Sequence, residues 1–157
     1  MVAEFDCGPA PYERHVTQWI TETIWAPDFW QDGTIPNQTL LTVDRDADGK
    51  VAGFGTWHHV DAVADRLERH VEIAWFGVDL AHQGRRDDAG NRVAELSYRR
   101  VEEAALSHPR TTDEMPFTLL CDVDNGRGLN FWTSLGYQVL PDPRYRVEGD
   151  HYFRMVR

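Results

Sequence analysis

The run VEIAWFGVD, Val71 to Asp79, reads as a long apolar strand, and it leaves through HQGRRDDAGN into a helical stretch. That helix is expected over Ala89 to Leu106, with Val93, Leu96, Val101, Ala104 and Ala105 broadly on one face. A buried strand that passes a glycine and two arginines before a helix gathers backbone N–H and guanidinium groups in one place. The stretch is either a plain connection or a cradle for a phosphate.

The rest of the chain supplies a sheet around that strand. Thr39 to Arg45 and Val51 to Val60 read as two strands joined by DADGK, whose Asp48-Gly49 pair predicts a hairpin. Phe117 to Val123 is a further central strand, and Tyr137 to Leu140 and Tyr152 to Val156 are two last ones. Helices are expected over Pro11 to Ile24, with Val16, Trp19, Ile20 and Thr23 on one face, and over Gly128 to Leu135, ended by Gly136. The order predicts an α/β (α+β) class with a mixed, partly antiparallel sheet. The segment APDFWQDGTIPN is a loop carrying Trp25, Phe29 and Trp30 beside Asp28 and Asp32. It serves as a wall for an amine or as a loop pinned by its aromatics.

At 157 residues, with 41% apolar and 27% charged content, the chain suits one soluble domain, 1–157. No apolar run is long enough to cross a membrane, and MVAEFDCG lacks the pattern of a secretory signal. Cys7 and Cys121 form neither a disulfide framework nor a metal motif, and a reduced cytoplasm suits them. The net charge of −10 argues against nucleic acid as a partner and leaves room for a cationic substrate. His58 and His59 point to opposite faces of a strand, so no shared metal is expected.

Four segments, in order, resemble the GNAT N-acetyltransferase superfamily. FDCG (Phe5 to Gly8) is similar to the opening of a branch that includes small toxin acetyltransferases. KVAGFGTW resembles the third strand, and VEIAWFGVDLAHQGRR the cofactor strand and loop. DVDNGRGLNFWTSLGYQVL resembles the stretch N-x-x-A-x-x-F-Y-x-x-x-G-F, with Asn125, Gly128, Phe131, Trp132, Gly136 and Tyr137 at its positions. The resemblance implies a mostly antiparallel central sheet whose middle strands splay, flanked by helices, and acetyl-CoA as co-substrate. The pantetheine arm would pair with the backbone of Trp75 to Val78, with Phe76 and Val78 making main-chain contacts. The pyrophosphate would sit on Gln83, Gly84, Arg85, Arg86, Gly90 and Asn91 at the start of the helix. QGR matches the family loop, whereas DDA intervenes before Gly90. Asp87 and Asp88 would repel a pyrophosphate unless they turn outward or Asp88 caps the helix; the alternative to a longer phosphate loop is a degraded site. Asn125 would contact the cofactor or cap its own helix.

Acetyl transfer needs a base for the amine, a donor for the carbonyl oxygen and, optionally, an acid for the thiolate. Glu72, set among Val71, Ile73 and Trp75, is the candidate base, directly or through a water. The alternative is a surface pair with Arg66 or Arg69. The family's tyrosine is replaced by Trp132, which packs against cofactor or core. Tyr137 is the candidate acid, with Ser134, Tyr145 and Tyr152 as substitutes. Cys121 is expected to be a buried strand residue and not a nucleophile. Trp25, Trp30, Trp57 and His58 are the candidate acceptor side.

The reading that follows is an acetyl-CoA-dependent N-acetyltransferase for a small-molecule or peptide amine, with homodimerisation left open. The alternatives are a toxin acetylating aminoacyl-tRNA and a non-catalytic acyl-CoA-binding module.

Overall fold

The structure, a computed structural model, describes residues 5–24, 40–61, 68–141 and 151–157. The aromatic loop over 25–37, with Trp25 and Trp30, lies outside the described residues. So do residues 62–67 and Tyr145.

Ala10 opens the first helix, α1 (Pro11–Trp19), without a side-chain acceptor of its own. Glu13 compensates by accepting the Ala10 N–H at 2.8 Å, which is one half of a capping box. The expected single helix to Ile24 changes at Ile20, where the chain widens into a π-helical turn, Ile20–Ile24. Thr17 and Thr21 hydroxyls donate back to carbonyls one turn earlier, at 3.2 and 2.8 Å. Such bonds compete with the regular ladder and bend helices.

Strands β1 (Leu40–Arg45) and β2 (Val51–Val60) form the expected hairpin, running from Leu40 opposite Trp57 to Arg45 opposite Val51. Its turn is closed by Asp46, whose Oδ1 accepts the N–H of both Asp48 and Lys50 at 2.9 Å. Strand β3 is His70–Val78 and β4 is Phe117–Asp122. The last strands, β5 (Gln138–Val139) and β6 (Tyr152–Val156), pair antiparallel, and β6 pairs antiparallel with β4. The strand order is β1-β2-β3-β4-β6-β5, with β3 and β4 parallel. The sheet is thus mixed and mostly antiparallel, with helices flanking it.

Two helices shift from their expected bounds. Helix α2 is Val93–Leu106, not Ala89–Leu106, because Asp87 to Asn91 close a turn on themselves first. Helix α3 is Gly126–Ser134, begun by Asn125, whose side chain accepts the Gly128 N–H at 2.7 Å. Among the described residues, no helix is long and apolar enough to cross a membrane.

The described residues pack as two compact units, Met1–Trp57 with Trp75–His108, and His58–Ala74 with Pro109–Arg157. In the first, Phe5, Cys7, Ile20, Val51 and Phe54 form a buried cluster, with Val16, Trp19 and Trp75 against it. The Trp19 ring stacks on Trp75 at 5.0 Å and on Phe54 at 6.3 Å. Helix α2 joins this unit through buried Asp44, which accepts from Ser97 at 2.8 Å and faces Arg100 at 3.1 Å. In the second unit, Val71, Ile73, Phe117, Leu119, Trp132, Tyr137 and Met155 are buried.

Gly77 sits where no side chain fits. A Cβ there would meet Cys7 Sγ and Phe54 at 2.8 Å and Val16 at 2.9 Å. Overpacking of this kind costs about 1–3 kcal/mol. Gly77→Ala should therefore lower the midpoint of urea denaturation, with an unchanged slope; an equal midpoint would show that this part of the core yields freely.

Candidate functional site

Strand β3 begins in a ladder and leaves it early. It pairs with β4 at three positions, Val71 to Ile73 opposite Phe117 to Leu119, while β3 itself runs to Val78 and β4 to Asp122. On its β2 side, β3 stays engaged, the Trp75 N–H donating to the Thr56 hydroxyl at 3.1 Å. Val78 is buried, and its carbonyl accepts from Gln83. Phe76 packs edge-on against Tyr98 of α2.

Glu72 lies inside the short ladder, opposite Thr118. Of its expected partners, Arg69 pairs with Asp61 instead, and Arg66 lies outside the described residues. Arg154 of β6 holds Glu72, its Nη1 donating to Oε2 at 2.8 Å. The other carboxylate oxygen, Oε1, faces His58 Nε2 at 3.6 Å. All three side chains are only 16–20% exposed. His58 Nδ1 and Thr118 Oγ1 are buried and have no hydrogen-bond partner among the described residues. An unpartnered buried polar atom costs about 1–3 kcal/mol, so each of these two calls for an explanation. Sequence reasoning found Glu72 and His58 separately; Arg154 and Thr118 it did not find.

The loop after β3 resolves the problem set by DDAGN. His82 lies between two carboxylates, Asp46 Oδ2 at 3.0 Å and Asp79 Oδ1 at 3.3 Å. Gln83 spends both amide hydrogens on backbone, donating to Cys7 O at 2.6 Å and Val78 O at 2.9 Å. Gly84 follows with φ +71°. Arg86 and Arg92 then pair across a bridge, with Asp87 to Asn91 looped out between them. Asp87 accepts the Asn91 N–H at 2.7 Å and its side-chain amide at 3.1 Å. Gly90, at φ +86°, makes that turn geometrically possible, and its carbonyl accepts from Arg86 at 2.5 Å. Gly90 and Asn91 are thus bonded within the excursion. Asp88 does not cap α2, whose N-cap is Arg92 with no side-chain cap bond. Arg85 and Arg86 are both exposed.

The remaining candidates are mostly packed. Trp132 is buried edge-on between Phe131 and Tyr137, and Tyr137 is 1% exposed beneath the Arg157 guanidinium, 5.5 Å from its ring centre. Trp57 is buried against His108. Cys121 is buried, which pushes its thiol up to about 11, as Cys7 is pushed to about 12. No group of side chains among the described residues gathers as a metal site.

No family model matches the sequence, and no curated protein matches it significantly. Solved structures do match. The KacTA–DNA complex superposes with a TM-score of 0.63 at 14% identity, over 97% of this chain and 82% of that one. AtaTR bound with acetyl-CoA gives 0.55 at 16%, over 99% and 84%. Naa20 of Chaetomium thermophilum, with a bisubstrate analogue, gives 0.53 at 18%, over 99% and 76%. The fold is that of the GNAT acetyltransferases. Within this GNAT fold, FDCG has a structural task. Phe5 and Cys7 enter the core, the Asp6 N–H donates to Asp79 Oδ2 at 3.1 Å, and the Leu80 N–H returns to Asp6 O at 2.6 Å.

The looped-out turn makes a titration prediction. The Asn91 side-chain amide, then its backbone N–H, hold Asp87 below the ordinary 3.8. A depressed carboxylate contributes stability that is present above its unfolded value and lost as pH falls through the folded one. Asn91→Ala should move the Asp87 midpoint back toward 3.8 in carbon-detected NMR. An unmoved midpoint would show that the amide contact does not persist in solution.

Proposed function

We propose that the chain is a single-domain, acetyl-CoA-dependent N-acetyltransferase acting on a primary amine of a small molecule or peptide, in the cytoplasm. The observation that carries this reading is the early end of the β3–β4 ladder at Ile73. A strand that outruns its partner offers backbone groups to an extended, amide-bearing ligand, as in strand addition. The backbone of Trp75 to Val78, including Phe76, is the proposed seat of the pantetheine arm. The Val78 carbonyl already accepts from Gln83, so its N–H is its proposed contribution.

The phosphate end fits the start of α2. No side chain caps this helix; its Val93 N–H donates to the Arg85 carbonyl at 3.1 Å, so the later N–H groups of the first turn and the dipole are what it offers an anion. Arg85, Arg86 and Gly84 precede it. The Asp87 carboxylate is turned onto Asn91 and does not compete. Gln83 supports the loop from behind. Asn125 and Trp132 remain proposed cofactor contacts from the resemblance alone. Trp25 and Trp30 remain proposed acceptor contacts on the same basis.

Acetyl-CoA supplies an activated acetyl group whose thiolate leaves without strong acid assistance. The protein must take a proton from the attacking amine, and Glu72 with the side chains it holds is the proposed base. Tyr137, buried beneath Arg157, has a packing role, and the acid is not assigned to it. A second reading, a toxin acetylating aminoacyl-tRNA, is favoured by the whole-chain likeness to AtaT, described as a toxin bound to the C-terminus of its antitoxin. The net charge of −10 weighs against it. Growth arrest on expression would select the toxin reading.

Two measurements test the leading one. Calorimetry with acetyl-CoA should show binding weakened ten-fold or more in Arg85→Ala, Arg86→Ala, since a lost charge-assisted bond costs about 1.5–3 kcal/mol. Equal affinities would remove the arginines from the site. Across a panel of amines read by free-thiol release, Glu72→Gln should lower kcat by about 10²–10⁴-fold with little change in KM. A wild-type rate in that variant would exclude Glu72 from the chemistry.

A further inference from the structure

Glu72 does not stand alone, and its two oxygens are not equivalent. Arg154 engages Oε2 at 2.8 Å, which leaves Oε1 toward His58 Nε2 at 3.6 Å. That separation is longer than a finished hydrogen bond, and catalytic contacts of this kind tighten when substrate arrives. The opposite ring nitrogen, Nδ1, is buried and without a partner among the described residues. So is the hydroxyl of Thr118, Glu72's partner in the ladder.

We propose that His58 Nδ1 is the atom that takes the amine's proton, with Glu72 and Arg154 as positioning residues. The proposal rests on the acetyltransferase reading and assigns the roles within its base. If Oε1 accepts from Nε2–H, the neutral ring keeps its lone pair on Nδ1, the nitrogen that lacks a partner. Nδ1 has no solvent contact in this structure, so a substrate amine reaches it only by displacing what covers it, and in doing so completes that nitrogen's hydrogen bonding. As the nitrogen–carbon bond forms and the carbon–sulfur bond breaks, the electron pair leaves on sulfur. The amine proton passes to Nδ1 and then to solvent. The imidazolium formed in between is stabilised by the carboxylate beside it, the logic by which an aspartate orients a catalytic histidine in hydrolytic triads. Arg154 prevents the carboxylate from turning its other oxygen to the ring. Glu72 is the titratable group in contact with His58, and Arg154 the charged group in contact with Glu72; the Asp61–Arg69 pair nearby in sequence is exposed.

The tautomer is directly observable. In ¹⁵N-histidine-labelled protein, long-range ¹H–¹⁵N spectra should show neutral His58 as the Nε2–H form, its signals assigned among the seven histidines by loss in His58→Gln. Glu72→Gln and Arg154→Gln should each mix or invert the tautomer. An Nδ1–H form in the wild type, or one unchanged tautomer in all three proteins, overturns the proposal. With n-butylamine as probe acceptor, thiol release should fall ten-fold or more in His58→Ala and be partly restored by added imidazole. Equal rates with and without His58 also overturn it. Acetyl-CoA calorimetry on the same proteins separates the two readings. Loss of acetyl-CoA binding in the wild type sinks the acetyltransferase itself, whereas binding retained with the wrong tautomer sinks the role of His58 alone.

Discussion

The junction at the end of β3 depends on one buried carboxylate, Asp79, which is 8% exposed. It accepts the backbone N–H of Asp6 and of Ala81 and faces His82. A polar group so deeply placed is tolerable only when its lone pairs are satisfied, and here three partners satisfy them. The chain before α1 is thereby tied to the point where strand becomes loop. Gln83 reinforces the tie by bridging the Cys7 and Val78 carbonyls.

The ladder between β3 and β4 has the opposite character. Three residue pairs are a minimal seam, and Glu72 sits in it with Arg154 and His58 gathered around its carboxylate. A charge in this position is held by ionic and polar contacts. Removing one member leaves the other uncompensated in a poorly hydrated place. The same three residues therefore bear on both the integrity of the seam and the chemistry assigned to it.

Much of the architecture was legible in the sequence for local reasons. The hairpin was written in DADGK, where one aspartate can close the turn on itself, and the apolar runs fixed the central strands. The start of α2 was not legible. A helical pattern from Ala89 could not show that Asp87 and Asn91 would bond to each other first. Nor could any spacing reveal Arg154 as Glu72's partner across 82 residues, since that pair exists only once β3, β4 and β6 are side by side. Trp132 and Tyr137 show the converse. Their motif positions were plain, but the pattern could not say that their rings would pack edge-on in a core.

The excursion from Asp87 to Asn91 has an evolutionary consequence. Its base is closed by the Arg86–Arg92 bridge, and everything in it is exposed. Closing a somewhat longer surface segment over the same base adds little entropy cost. Chain length is therefore free to drift at this point while the spacing between Arg85 and the helix stays fixed. A short peptide epitope spliced between Asp88 and Ala89 would be carried outward like a flag on a pole.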